Sequence, residues 1–117
     1  MQEQIKHRTK QIGLTVIKLI DDVPNRLSAR AIANQIIRSS TSIGSNYRAA
    51  CRAKSTADFI NKLKIVEEET DETLYWLEIL EESSLIEHDK ISDLKKETNE
   101  ILSIIVASIN TIKKSKI

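Results

Sequence analysis

The chain has 117 residues, of which 30% are charged and 3% aromatic, with two glycines, one proline and a formal net charge of +1. That length suits one domain, residues 1–117, around one core. Scarce glycine and proline beside abundant Ile, Leu, Lys and Glu exclude a typical sheet protein and favour an all-helical one.

So few aromatics leave little for a base-stacking platform. The lone Cys51 excludes an internal disulfide and reads as a packing residue of a protein in a reducing cytoplasm. The polar start MQEQIKHRTKQ lacks the apolar run of a signal peptide, and no stretch is long and apolar enough to span a membrane, so no membrane partner is expected.

Four helical segments are predicted in chain order. The first, about Glu3 to Asp21, carries Ile5, Thr9, Ile12, Val16 and Leu19 at spacings of three and four, one stripe of a helix. Pro24 stops it, and Ser28 is the expected N-cap of the second. From Arg30 to Lys54 the chain reads as one helix with two unlike faces. Ile32, Ile36, Ser39, Ser40, Ile43, Tyr47 and Ala50 gather on one side, and Arg30, Arg38, Arg48 and Arg52 fall within an arc of about 80° on another. The run Ser39-Ser40-Thr41-Ser42 with Gly44 and Ser45 is small enough for a neighbouring backbone to come close.

Ser55-Thr56-Ala57-Asp58 has the form of a capping box with Asp in the place of Glu and opens the third helix. Its expected core stripe is Phe59, Leu63, Val66, Thr70, Leu74 and Leu77. A second apolar set, Ile65, Trp76, Ile79 and Leu80, lies nearly opposite, more than one bundle core can cover; these four are the expected subunit interface of a homo-oligomer. Periodicity lapses from Ser83 to His88. A fourth helix then follows Ile91, Leu94, Thr98, Ile101, Ile105 and Ile112, and the tail from Lys113 is expected to fray. Short connections give an up-down-up-down four-helix bundle.

Charge is unevenly spread. Residues 23–57 hold six Lys or Arg and no acid, whereas residues 58–82 hold nine acids against two lysines. Packed antiparallel, the two helices would attract. Arg38, beside the small-residue run, is expected to be partly buried and paired with Glu69 or Glu72. Arg48, Arg52 and Lys54 at the helix end, with Arg30, are the expected phosphate contacts. Catalytic patterns fail. Neither His7 nor His88 has the Glu-x-x-His spacing of a di-iron bundle, two His and one Cys do not make a zinc set, and no serine stands in a nucleophile elbow. No enzyme, metal or cofactor is expected.

The run from Gln35 to Leu80, QIIRSSTSIGSNYRAACRAKSTADFINKLKIVEEETDETLYWLEIL, resembles the signature of the four-helix bundle family that includes proteins encoded in 23S ribosomal RNA intervening sequences. The pattern is Arg38, Ser42-Ile43, Asn46, Asp58-Phe59-Ile60 and the acidic-aromatic block ending at Trp76-Leu77. Members are also similar to the accessory protein of diversity-generating retroelements. The resemblance implies a ring-shaped homopentamer and, in the accessory branch, nucleic-acid binding through basic surface beside a nucleic-acid enzyme. One departure is Ala49, where the family usually places a Glu. The leading expectation is therefore a non-enzymatic oligomeric bundle that offers arginines to structured RNA or DNA. The alternative is a protein-interaction scaffold whose arginines are taken up by ion pairs within the bundle or between subunits.

Overall fold

In the computed structural model, which describes residues 1–115, four helices lie side by side: α1 (Gln2–Ile20), α2 (Leu27–Ala50), α3 (Thr56–Glu82) and α4 (His88–Ser115). No strand occurs among the described residues. Each helix packs on the next and α4 closes back on α1, which leaves α1–α3 and α2–α4 as the diagonals of a bundle 50 × 21 × 21 Å in extent. Connections of a few residues force neighbours to run antiparallel. The fourth helix continues through Ser115, so the tail expected to fray is helical from Lys113 to Ser115, and its last two residues lie outside the described ones.

The apolar stripes meet in one core. Ile12, Val16, Ile36, Ile43, Leu63, Val66, Leu77, Ile91, Ile101 and Ile105 are completely or almost completely buried. Thr9, Thr70 and Thr98 occupy apolar register positions and are also buried, because each hydroxyl donates to the carbonyl four residues back, of Ile5, Val66 and Leu94 respectively. A side chain that satisfies its own donor this way enters a core at little cost. The Thr73 and Ser39 hydroxyls share a 2.9 Å hydrogen bond across α2 and α3, which fixes the register of that pair.

The expected close approach is made by the two glycines. A Cβ on Gly44 would stand 3.2 Å from the Lys10 nitrogen and 3.3 Å from its Cα, and one on Gly13 would stand 3.4 Å from the Ser40 carbonyl oxygen. Backbone touches backbone between α1 and α2.

Local details correct the sequence reading. The cap of α2 is Arg26 and makes no side-chain hydrogen bond, so Ser28 lies one residue inside the helix rather than at its cap. The helix ends at Ala50, and Arg52 and Lys54 belong to the turn that follows. Ser55 does cap α3, accepting from the Asp58 N–H at 3.1 Å, and Asp58 in turn accepts from the Lys54 N–H at 3.1 Å. On α3 the buried positions include Ile60, Thr73 and Leu80, whereas Phe59 and Leu74 are half-buried. Leu80 is fully enclosed by its own bundle, so it has no surface to offer a second subunit. The stripe turns gradually about the helix axis because 3.6 residues per turn drifts against any fixed three-four spacing over 27 residues.

Candidate nucleic-acid interface

The cations of α2 separate into two groups according to the neighbour each meets. Arg38 points along the α2–α3 seam. Its Nη1 donates to Glu69 Oε2 at 3.3 Å and its Nη2 makes a close contact with Glu72, which also accepts from the Trp76 indole N–H at 3.1 Å. The Arg38 hydrogen bond, then the indole, holds the Glu72 carboxyl below its usual range. Arg38 is paired with both candidate acids as expected, with half of its side chain exposed, while Glu69 is the more enclosed of the two acids. This is where the attraction between the two charged helices is spent. Among the described residues, no other cation of α2 reaches an acid of α3.

The second group faces solvent. Arg30 donates to the Asn25 side chain at 3.0 Å. Arg48, Arg52 and Lys54 are exposed, and no carboxylate among the described residues lies within ion-pair reach of them. Arg48 lies in the last turn of α2 and Arg52 two residues past its end. Lys54 follows in the connection to α3, whose N-terminus is capped by Ser55 and carries Asp58 in its first turn. Asp58 lies beside Lys54, and its carboxylate is engaged by Lys62 and by the Lys54 N–H, so this end of the molecule keeps exposed cations that make no ion pair.

A groove of about 440 Å³ runs between α1 and α2, floored by Gly13 and Gly44 and walled by Lys10, Leu14, Ile17 and Arg48. Nothing in the sequence reading nominated its α1 side. The signal was present, however: Leu14 and Ile17 fall off the buried stripe of α1, and they are 43% and 42% exposed. On α3, Trp76 is half-buried against its own core, Ile79 is half-buried and Ile65 is 42% exposed, so of the four expected interface residues only Leu80 is wholly consumed.

Two further polar ties hold the bundle without touching this surface. Arg8 of α1 meets Glu97 at 2.6 Å and Glu100 at 3.1 Å on α4, which holds the Glu97 carboxyl below its usual range. Glu81 accepts from Lys95 at 2.8 Å and also contacts His88, and these donors lower its pKa in that order. Among the described residues no group of three or more His, Cys, Asp and Glu side chains stands together to hold a metal, and no helix is long and apolar enough to cross a membrane.

No curated protein matches the chain. Among solved structures, a protein of unknown function from the S23 ribosomal protein family of Bacteroides thetaiotaomicron is 34% identical, with a TM-score of 0.83 over 90% of this chain and 97% of that one. The family model described as 23S rRNA-intervening sequence protein matches residues 1–107. A match over nearly the whole bundle, together with a likeness in fold at that identity, means that the chain belongs to the 23S rRNA-intervening sequence protein family.

Proposed function

We propose that this protein is a non-enzymatic, cytoplasmic homo-oligomer that binds structured RNA or DNA through the solvent-facing cations of α2 and the turn after it. The observation that carries the reading is the division among the arginines: Arg38 is neutralised by Glu69 and Glu72, whereas Arg48, Arg52 and Lys54 at one end are exposed with no acid in reach. Exposed cations that make no ion pair are suited to phosphate oxygens, and each phosphate neutralised releases counterions. The family's link to ribosomal RNA by name gives this reading its first candidate ligand. A ring of subunits would repeat the basic end around an axis and raise avidity without new contacts. A nucleic-acid enzyme bound beside it is a further partner of the same reading.

Within one bundle, the scaffold alternative accounts for Arg38 alone among the cations of α2. The test is binding of folded RNA and duplex DNA at two salt concentrations, using protein freed of nucleic acid. Arg52→Ala with Lys54→Ala should leave the melting curve unchanged and weaken binding, with the slope of log affinity against log salt reduced by up to about two. Arg38→Ala should leave affinity per folded molecule unchanged. Wild-type protein that binds neither nucleic acid at low salt would refute the proposal.

A further inference from the structure

The exposed large hydrophobics fall into a pattern. Met1 and Leu27 stand at helix starts, and the other four form two pairs on different sides of the bundle: Leu14 and Ile17 on α1, Ile65 and Tyr75 on α3. The surroundings of the two pairs are opposite in charge. Leu14 and Ile17 line one end of the α1–α2 groove, and Lys10 and Arg48 line it further along, where Glu3 is paired with Lys6. Tyr75 is 54% exposed on a ridge of α3 that also carries Glu68 and Asp71. Residues 68, 71 and 75 are spaced three and four apart and so share one helix face. Among the described residues, Lys10, Arg48, Glu68 and Asp71 take part in no ion pair.

From this we infer that the groove of one copy receives the α3 ridge of another, with Tyr75 seated against Leu14 and Ile17 and with Lys10 and Arg48 meeting Glu68 and Asp71. The inference rests on the reading of the chain as a homo-oligomer and gives that oligomer its contact. A helix laid into an apolar groove flanked by complementary charge is a recurring mode of association. The two surfaces are different patches on α1–α2 and on α3, and α1 and α3 are diagonal in the bundle. The contact is therefore head-to-tail, which builds a closed ring or a chain of subunits and not an isologous dimer. It also occupies Arg48, leaving Arg30, Arg52 and Lys54 for phosphates.

Light scattering coupled to size exclusion, on nuclease-treated protein at micromolar concentration, reads the outcome. Lys10→Glu with Arg48→Glu gives an acidic groove facing an acidic ridge, and Glu68→Lys with Asp71→Lys gives a basic pair. Each variant should run as a folded monomer, checked by helical circular dichroism. The chain with all four substitutions has both charges exchanged and should regain the wild-type mass. If either two-residue variant keeps the wild-type mass, the surfaces are wrong while the oligomer stands. A folded monomer in all three variants overturns the pairing as well. A monomeric wild type overturns both the pairing and the oligomer.

Discussion

Among the described residues, Ser84 is the one non-glycine residue with positive φ, at 63°. It follows the last turn of α3, where the Leu85 N–H bonds the Leu80 carbonyl at 3.1 Å and the Ser84 N–H bonds the Glu81 carbonyl at 3.0 Å. Those two bonds form a Schellman motif, whose left-handed position is usually glycine. The fold tolerates a serine there because Leu85 is drawn onto the core by the same turn. Ser84→Gly should relieve the Cβ clash and stabilise the protein by about 1 kcal/mol, a rise of roughly 3–6 °C in melting temperature. Thermal unfolding followed at 222 nm measures it, and a lower melting temperature would show that the serine contributes more than its strain costs.

At the scale of the element, α1 and α2 are held by a glycine contact with unequal tolerance on its two sides. A Cβ on Gly13 meets its nearest atoms at 3.4 Å, the near edge of ordinary contact, whereas one on Gly44 meets the backbone of Lys10 at 3.2 and 3.3 Å. A helix backbone cannot turn aside as a side chain can. Gly13→Ala should therefore keep most of the gain of about 1 kcal/mol that alanine brings to a helix interior. Gly44→Ala should push the helices apart and destabilise by about 1–3 kcal/mol, beyond what propensity returns. Chemical denaturation of the two variants side by side gives the sign of each, and a stabilised Gly44→Ala would mean that the helices slide freely. The same pair of helices forms the floor of the groove, so Gly44→Ala also bears on how well that groove is shaped.

Across the whole molecule, stability depends on pH at both ends. Glu72, Glu81, Glu97 and Asp58 are each held below the ordinary carboxylate range by a cationic donor: Arg38, Lys95, Arg8 and Lys62 respectively, in each case the largest cause. The unfolded chain then binds protons at higher pH than the folded one. The stability these pairs supply is present above about pH 4.3 and is lost as pH falls through the lowered folded values. Tyr47 works the other way. Burial, with the Cys51 sulfur beside it, pushes its hydroxyl up to about 12, so stability falls as pH rises from about 10 toward that value. Melting temperature against pH should form a plateau with an acid and an alkaline limb. Glu97→Gln should make the acid limb shallower and Tyr47→Phe should reduce the alkaline one; limbs unchanged in both variants would assign the dependence to other groups.

The sequence by itself determined four helices and most of what each one buries. Ile5, Thr9, Ile12, Val16 and Leu19 are all buried as the spacing requires, and so are the threonines at 70 and 98. Periodicity is a local property: 3.6 residues per turn sets the face of every residue before any partner arrives. The Arg38 link to acids on α3 was legible for the same reason, since charge and helix order narrow the choice of partner. Only the tertiary structure decided how far each face is covered. Leu80 is enclosed and Ile65 exposed, though both stood in one apolar set, because the crossing of two neighbouring helices, and not the pattern within one, determines where the core ends. Arg38 lies half in solvent for a similar reason, since the packing of α2 on α3 decides how far its ion pair is covered. The α1–α2 groove itself was decided there too, although Leu14 and Ile17 off the buried stripe marked one of its walls. Its floor exists because antiparallel packing sets Gly13 against Ser40 and Thr41 and Gly44 against Lys10, about one helical turn apart, and a contact between distant segments is not written in the periodicity of either.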